Sequence, residues 1–330
     1  MIPEQEKPQP RVDIIAPVFN EEDVIAAFHE QLCAVIDRLP HRFRIIYIND
    51  GSQDSTQAQL EALAGRDERV AVIELSRNFG HQAALTAGLA QANGDYVITL
   101  DCDGQHPPAL IPQMLAHALA GCDIVLTQRL DSQQTSPFKR LSSRLFYAFI
   151  NSIASTQILP GGADYRLLSQ RAVEALRSMP EYHRFLRGMV AWIGFPTVIL
   201  SFTPGKRLGG RSKYSLRKML RLGLDAVFSF SLVPLTIAIS VGGLFLLLAL
   251  LEAIYVLSFW VSGRSQLLAP GWSSLMFVLL VVGGSLMVTL GIIGIYIGYI
   301  FQQVKWRPVY IVHQLSGALE QPDKGAEQPE

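Results

Sequence analysis

The segment YVITLDCDGQ, residues 96–105, decides the predicted fold, because an apolar run ends directly in acidic residues. Residues 96–100 predict a buried strand, and Asp101 and Asp103 follow at its carboxyl end. In open α/β sheets, ligands bind beyond the carboxyl ends of the strands. Two carboxylates there can share Mg²⁺ or Mn²⁺, and Gln105 can add an oxygen ligand. Taken alone, the Asp-x-Asp pattern is equally compatible with turn formation or helix capping.

The sequence on either side of this segment alternates between strand and helix patterns. Strands are predicted at 12–16, 44–49, 70–75, 96–100 and 123–127, with a later one at 197–202. Helices are predicted at 22–38, 54–64, 82–91, 108–120, 138–155, 171–179 and 184–192. Alternation of this kind with apolar strands predicts an α/β domain with a mainly parallel sheet that is covered on both faces.

One part of the sequence has the composition of an ordinary soluble domain, and another part is strongly apolar. The chain has 330 residues, with 28 Lys+Arg balancing 28 Asp+Glu, which argues against generic nucleic-acid binding. Residues 231–301 contain only two charged residues, Glu252 and Arg264. The three cysteines lack Cys-x-x-Cys spacing, so neither a disulfide framework nor a zinc site is expected. The polar N-terminus has no secretory signal, which favours a cytoplasmic location for the domain.

Two apolar stretches, 231–260 and 274–301, are each long enough to cross a bilayer. The alternative is a hydrophobic hairpin buried in a globular core, which their continuous apolarity disfavours. A basic segment without acids precedes them and contains Lys206, Arg207, Arg211, Lys213, Arg217, Lys218 and Arg221. It predicts interfacial helices at 205–230, or else a solvated helix docked on the domain. The bias of Lys and Arg places both termini in the cytoplasm.

Acidic residues also follow the first two predicted strands. Asp50 ends the second strand, and PVFNEE at 17–22 follows the first. Three loops at one sheet edge therefore offer acceptor groups, without a P-loop or a dinucleotide fingerprint. This pattern fits a nucleotide that is held by a metal ion and by acids at its base or ribose.

These motifs resemble the family-2 inverting glycosyltransferases, in particular the polyprenyl-phosphate branch. That branch includes dolichyl-phosphate mannose synthases and undecaprenyl-phosphate glucosyltransferases of the GtrB type. The resemblance rests on APVFNEE at 16–22, NDGSQDST at 49–56, RNFG at 77–80, DCDGQ at 101–105, GADYRL at 162–167 and SKYS at 212–215. It covers nearly the whole chain, although Gly104 stands where relatives often carry leucine.

The resemblance implies a nucleotide-diphospho-sugar transferase (GT-A) domain with two transmembrane helices. The implied reaction is inverting transfer of one sugar, with glucose preferred, from a UDP-sugar to undecaprenyl phosphate at the cytoplasmic face of the inner membrane. The expected segments are a disordered tail at 1–10, the catalytic domain at 11–204, interfacial helices at 205–230, a membrane hairpin at 231–303 and a cytoplasmic segment at 304–330. Relatives also suggest a homotetramer.

Site roles are carried over residue by residue. The residues expected to hold the base and ribose are Pro17, Phe19, Glu21 and Asp50. Asp101 is expected to help hold both donor and metal, and Asp103 and Gln105 are expected to ligate the metal. The acceptor phosphate is assigned to Arg129, Lys139 and Arg140. Asp164 could orient the acceptor, act as base or pair with Arg166. Arg207, Arg211 and Lys213 could close over a phosphate or bind the leaflet.

Several alternatives stay open at this point. The donor could instead be UDP-N-acetylglucosamine, a UDP-4-amino-arabinose derivative or GDP-mannose. A processive polysaccharide synthase would need more spans and a Gln-x-x-Arg-Trp motif, which the sequence lacks. A non-enzymatic membrane adaptor would leave the acids unexplained. His81 and His106 have no metal-like spacing, and structural roles are expected for both.

Overall fold

A computed structural model describes residues 9–130, 159, 161–205, 233–263 and 271–318. The predicted helix at 138–155 and nearly all of the predicted interfacial segment at 205–230 lie outside these residues. The chain divides into two compact units, and most of the second lies between Leu220 and Arg307. The first unit contains the sheet and includes residues from Pro308 onward.

The first unit is built on one eight-stranded sheet. Its strands are β1 (Arg11–Val18), β2 (Arg42–Asn49), β3 (Val70–Leu75), β4 (Tyr96–Thr99), β5 (Ile124–Arg129), β6 (Gly162–Ser169), β7 (Thr197–Phe202) and β8 (Val312–Gly317). Their order is β7-β5-β6-β4-β1-β2-β3-β8. The neighbours β1 and β2, β1 and β4, β2 and β3, and β5 and β7 are parallel. The predicted mainly parallel α/β sheet is confirmed.

Within the described residues, six α-helices belong to this unit. They are α1 (Ile25–Ile36), α2 (Thr56–Ala64), α3 (His81–Gln91), α4 (Ile111–Leu119), α5 (Gln170–Arg177) and α6 (Leu186–Trp192). A short 3₁₀ turn, Pro108–Leu110, precedes α4. The predicted helices at these places agree within three residues at each end, apart from the first turn of the one at 108–120, which is 3₁₀.

The core forms because helices cover the central strands. Ile25, Phe28, Leu32 and Ile36 recur at helical spacing on α1, and all four are buried. Burying a side chain of this size contributes about 1.5–3 kcal/mol. In β1, residues 12–16 are buried without alternation, as expected of a central strand that is covered on both faces. The rigid sheet then fixes the loops at its carboxyl edge.

Two strands join the sheet in antiparallel orientation from later in the chain. β6 lies between β4 and β5, and it carries the GADYRL motif into the centre of the sheet. β8 pairs with the outer side of β3. Residues Pro308 and Tyr310, just before β8, line a cavity of about 510 Å³ together with Arg177 and Arg184. The segment after the apolar helices is therefore part of the first unit.

The second unit contains two long helices, α7 (Val233–Val261) and α8 (Trp272–Val304), which pack against each other. Within the described residues, Val281–Val304 of α8 is the segment that is long and apolar enough to cross a membrane. Many large apolar side chains on both helices are exposed, including Leu247 and Leu257 on α7 and Met287 and Ile297 on α8. A second crossing by α7 stays a prediction.

Candidate active site

The loops that follow β1 and β2 are hydrogen-bonded to each other at the carboxyl edge of the sheet. The backbone N–H of Asn20 donates to Ser52 Oγ at 2.9 Å, and the N–H of Gln53 donates to Asn20 Oδ1 at 2.9 Å. The N–H of Glu21 donates to Thr56 Oγ1 at 3.0 Å. Asn20 has a φ of 50°, a left-handed conformation that asparagine tolerates better than most residues. These contacts fix the positions of both loops.

The predicted donor-binding residues of the first loop lie at this edge. Pro17 is in β1, paired with Ile48 of β2, and Phe19 and Glu21 follow the strand. All three predicted residues are half-buried. Their surfaces are thus partly accessible beside the Asp50 loop, where a nucleotide base is expected.

Asp50 links the second loop to the start of α3. Its Oδ1 accepts from the N–H of Phe79 at 2.7 Å, and its Oδ2 accepts from the N–H of Gly80 at 2.9 Å. Burial raises the pKa of Asp50 above its ordinary value, although these two N–H groups act in the opposite direction. Each carboxylate oxygen keeps a further lone pair, so Asp50 can both hold the RNFG loop and accept from a ligand.

Gly51 allows the same two loops to approach closely. It has a φ of +67°, and a Cβ at this position would lie 2.4 Å from the carbonyl carbon of Arg77. A larger residue would therefore separate the loops as well as strain the backbone.

The Asp101–Asp103 loop is held by a buried histidine. The N–H of Asp101 donates to His106 Nδ1 at 2.9 Å, and Asp103 Oδ1 accepts from the N–H of Gln105 at 2.9 Å. The His106 ring stacks on Tyr165 at 5.3 Å. Burial lowers the pKa of His106, which favours the neutral ring that can accept from Asp101. The structural role predicted for His106 agrees with these contacts.

Arg129 reaches the same loop from the end of β5. Its guanidinium NH2 donates to Gln105 Oε1 at 2.8 Å, and Arg129 is exposed to solvent. The N–H of Gly205, after β7, donates to the Gln105 carbonyl oxygen at 3.2 Å. A residue assigned to the acceptor phosphate thus contacts a residue assigned to the metal. The basic segment begins directly after Gly205.

Asp164 is the most strongly bound carboxylate of the site. Arg187 donates to it through Nε at 3.1 Å and NH2 at 2.8 Å, and Arg166 donates to its Oδ1. Its side chain is only 6% exposed. Burial alone would raise the pKa of Asp164, but the two guanidinium groups and His81 hold it well below its ordinary value. The predicted pairing with Arg166 is present.

His81 lies between two acidic residues of the site. Its Nε2 is 3.5 Å from Asp101 Oδ1 and 3.6 Å from Asp164 Oδ2. Burial lowers the pKa of His81, but Asp101 and Asp164 raise it by more than burial lowers it, so the net shift is upward. This arrangement is not evident in the sequence, because Asp164 is distant from His81 in the chain. The position of His81 directly after the RNFG motif, at the start of α3, was the available signal.

The oxygen donors of the Asp101 loop fit a hard divalent cation. Asp101 is 34% exposed, and its carboxylate oxygens lie 3.5 Å from His81 Nε2 and 3.6 Å from His106 Nδ1. Asp103 and Gln105 lie in the same partly exposed turn. Carboxylate and amide oxygens are suitable ligands for Mg²⁺ or Mn²⁺. Gln105 would have to share its oxygen with Arg129 or release it.

Five predicted site residues lie outside the described residues. They are Lys139, Arg140, Arg207, Arg211 and Lys213. Their assignments to phosphate binding stay predictions. The other predicted site residues belong to loops or strands of the first unit.

A parallel sheet with acidic loops at its carboxyl edge and an Asp-x-Asp turn after β4 defines a nucleotide-sugar transferase of the GT-A fold. The chain belongs to glycosyl transferase family 2, because the model of that family matches residues 13–177. It is therefore a glycosyltransferase, and the predicted family is confirmed.

Full-length relatives agree with this assignment. The SfII prophage-derived bactoprenol glucosyl transferase of Shigella flexneri is 34% identical over 306 residues, covering 92% of this chain and 97% of that protein. The prophage bactoprenol glucosyl transferase homolog of Escherichia coli K12 is 34% identical over 309 residues, covering 92% and 99%. The uncharacterized glycosyltransferase sll0501 of Synechocystis is 35% identical over 306 residues, covering 93% and 96%.

Solved structures resemble this chain more distantly. Mannosyl-3-phosphoglycerate synthase from Rubrobacter xylanophilus aligns with 66% of this chain and 72% of its own, with 19% identity and a TM-score of 0.46. Glucosyl-3-phosphoglycerate synthase from Mycobacterium tuberculosis, in complex with Mn²⁺, UDP and phosphoglyceric acid, covers 66% and 76% with 19% identity and a TM-score of 0.44.

Proposed function

We propose that the protein transfers a single glucose, with inversion, from UDP-glucose to a polyprenyl phosphate such as undecaprenyl phosphate. The observation that carries the proposal is the 2.8 Å contact between Arg129 and Gln105, since Arg129, which we propose to bind the acceptor phosphate, lies beside the Asp101–Asp103 loop. Donor and acceptor phosphates could then meet at one edge of the sheet. The names of the bactoprenol glucosyl transferase relatives support the same acceptor and sugar.

The donor nucleotide would lie against the loops after β1 and β2. Phe19 offers an apolar ring, and the carboxylates of Glu21 and Asp50 can accept from the base or the ribose. The hydrogen bonds between these loops reduce the ordering that nucleotide binding would otherwise require. Asp50 would also transmit donor binding to the RNFG loop, because it holds Phe79 and Gly80.

Asp101 and Asp103, with Gln105, would hold Mg²⁺ or Mn²⁺ at the donor diphosphate. A bound divalent cation supplies charge that stabilises the departing nucleotide diphosphate. Asp101 also lies 3.5 Å from His81; burial lowers the pKa of His81, but Asp101 and Asp164 more than offset that effect. Arg129 would flank the acidic loop and add positive charge to the site.

The acceptor needs positioning more than deprotonation. A phosphate monoester is largely ionised at neutral pH, since its second pKa is about 6. Arg129 can donate two parallel hydrogen bonds to such a phosphate, and the basic residues Lys139 and Arg140 would add to this site. Asp164 would set the positions of Arg187, which donates to it, and of His81, whose Nε2 lies 3.6 Å from its Oδ2. Attack from the face opposite the leaving diphosphate would invert the anomeric centre.

The apolar helices would hold this site at a membrane. Val281–Val304 is 24 residues long and contains an 18-residue window with a mean hydropathy of 2.0, and the exposed apolar side chains of α7 suit a lipid environment. We infer that both helices cross the inner membrane, with the catalytic unit and both termini on the cytoplasmic side. Arg207, Arg211 and Lys213 would lie at the leaflet surface or over the phosphates. A homotetramer is proposed from family resemblance.

The decisive experiment is a transfer assay with the purified full-length protein in detergent. Undecaprenyl phosphate is supplied with labelled UDP-glucose, UDP-N-acetylglucosamine or GDP-mannose, and with Mg²⁺, Mn²⁺ or a chelator. The expected result is a cation-dependent lipid carrying one glucose, formed fastest from UDP-glucose, with an inverted anomeric linkage by NMR. Faster transfer from another donor would overturn the glucose assignment. Long polymer would indicate a synthase, and no turnover of any donor would contradict an enzymatic role.

Membrane topology is tested separately from activity. Single cysteines are introduced at Ser265 and Gln302 in a cysteine-free variant, and their labelling by an impermeant thiol reagent is measured in intact and permeabilised cells. The proposed topology requires labelling at Ser265 from outside intact cells, and labelling at Gln302 only after permeabilisation. The opposite pattern, or equal labelling of both, would contradict two crossings.

A further inference from the structure

Three possible metal ligands meet on the first unit, away from the Asp101 loop in sequence. His29 and Cys33 lie four residues apart on α1, so both face the same side of the helix. Asp67 comes from the connection between α2 and β3. The ligand atoms of these three residues all lie within 4.8 Å of one another.

The spacing of these atoms resembles that around a tetrahedral metal ion. Cys33 Sγ is 3.5 Å from His29 Nε2 and 3.8 Å from Asp67 Oδ2, and His29 Nε2 is 3.7 Å from Asp67 Oδ2. Ligand bonds of about 2.0–2.3 Å at tetrahedral angles place such atoms roughly 3.4–3.6 Å apart. Only small side-chain movements are therefore needed for all three atoms to reach one ion.

The imidazole is already oriented for binding. His29 Nδ1 is 3.0 Å from the hydroxyl of Tyr47, a fully buried residue of β2. Donation from Nδ1–H to that hydroxyl leaves the lone pair on Nε2 directed towards Cys33 and Asp67. Metal-bound histidines almost always make such a second contact, which fixes the tautomer and the ring orientation.

The charge of a divalent ion would be balanced by its own ligands, and the Arg69 guanidinium beside them would have to turn towards Asp37. A thiolate from Cys33 and the carboxylate of Asp67 would together offset the charge of the ion. Arg69 donates to Asp67 and to Cys33 Sγ, and it is itself paired with Asp37 at 2.6 Å. The side chains of His29 and Asp67 are 11% and 16% exposed, so the cluster is sheltered but reachable from solvent.

We propose that His29, Cys33 and Asp67 form a second metal site, selective for Zn²⁺, with water as the fourth ligand. A mixed nitrogen, sulfur and oxygen set favours zinc, whereas Mg²⁺ and Mn²⁺ prefer the oxygen ligands of the Asp101 loop. On binding, the Cys33 thiol loses its proton to solvent. The ion would tie α1 to the connection before β3. The expectation of no zinc site was based on the spacing of the cysteines. That spacing cannot reveal a ligand such as Asp67, which comes from a distant loop.

The test uses Co²⁺ as a spectroscopic substitute for Zn²⁺ on the chelator-treated, full-length protein in detergent. One Co²⁺ per chain should produce a thiolate-to-cobalt absorption band and the intense visible bands of tetrahedral cobalt, and Zn²⁺ should abolish both. The bands should survive in Asp103→Ala, which removes a ligand from the other proposed site. A wild-type protein without the thiolate band would overturn the proposal.

Cysteine variants assign the ligand without requiring the loss of Cys33. The double variant Cys102→Ala, Cys122→Ala keeps Cys33 as its sole thiol and should retain the band, whereas Cys33→Ser should lose it. Tyr47→Phe should weaken Zn²⁺ binding about tenfold or more, because it removes the partner of His29 Nδ1. A band that persists in Cys33→Ser, or disappears from the double variant, would show that Cys33 is not the ligand.

Discussion

Arg187 holds the carboxylate of Asp164 at two points, with Nε 3.1 Å from Oδ1 and NH2 2.8 Å from Oδ2. Together with Arg166 and His81, it keeps the pKa of Asp164 well below the ordinary value, against the opposing effect of burial. A group with such low proton affinity is a poor general base near neutral pH. Between the roles left open by the sequence, this pairing favours positioning over proton abstraction.

Asp164→Asn should therefore lower kcat by roughly a hundredfold through misplacement of Arg187 and His81. It should leave the acid limb of the pH–rate profile unchanged. We expect that limb to follow ionisation of the acceptor phosphate instead. Asp23→Asn, at an exposed position, is the matched control. Disappearance of the acid limb in Asp164→Asn would instead identify Asp164 as the base.

The same variant tests how Asp164 contributes to stability. Because its pKa is depressed in the folded state, its contribution is present above the ordinary value of 3.8 and is lost as pH falls through the folded-state value. The free energy of unfolding of the wild type should exceed that of Asp164→Asn by about 3 kcal/mol at neutral pH, because two arginines lose a buried partner in the variant. Thermal unfolding in detergent should show a constant difference from pH 7 to 5 that shrinks below pH ~4. A difference that grows on acidification would contradict this.

Asp103→Ala should reduce transfer at least a hundredfold while leaving the fold intact. Asp103 lies in a partly exposed turn, so its removal costs little core packing. Transfer is measured across Mg²⁺ and Mn²⁺ concentrations, with thermal unfolding and membrane extraction as controls for folding. Turnover equal to wild type at all cation concentrations would refute the metal role of Asp103.

Arg129→Ala should raise the KM for undecaprenyl phosphate about tenfold or more, with little change in the KM for the donor. Arg129→Lys should recover part of the loss, because lysine keeps the charge but not the paired donors. Arg171→Ala is the control, since that side chain is 72% exposed. If both KM values rise equally, Arg129 acts on the donor or on the whole loop through Gln105.

Gly317→Ala should destabilise the catalytic unit by about 2 kcal/mol. Gly317 has a φ of +80°, and an added Cβ would lie 2.2 Å from the carbonyl oxygen of Val70 in β3. The neighbouring Ser316→Ala has no such clash and should remain close to wild type. The midpoint of thermal unfolding separates the two outcomes. Equal midpoints for both variants would show that β8 does not depend on this close approach.

The sequence patterns located the central strands well because those strands are continuously apolar. The segment Val70–Leu75, for example, was predicted with the bounds that the structure has. By contrast, β8 carries mostly exposed side chains in a short run that includes His313 and Gln314. Its stability comes from pairing with β3, which lies far away in the chain. Periodicity within a short window does not contain that information.

The candidate site can be recognised in the sequence where its residues lie close together in the chain, as Asp101 and Asp103 do. It was less predictable where partners come from different elements. Arg187, on α6, was not assigned to the site, although it holds Asp164. His81 was given a structural role because neither Asp101 nor Asp164 lies near it in sequence. Such contacts depend on how α3, β6 and α6 meet in three dimensions.

The position of β8 also sets an order of events during biosynthesis. The ribosome completes β3 early, but the strand that covers its outer edge is translated only after α7 and α8. Until then β3 presents unpaired backbone groups, which can recruit strands from other nascent chains. Synthesis of both apolar helices must therefore precede closure of the sheet, so a pause in their translation would prolong exposure of an aggregation-prone edge.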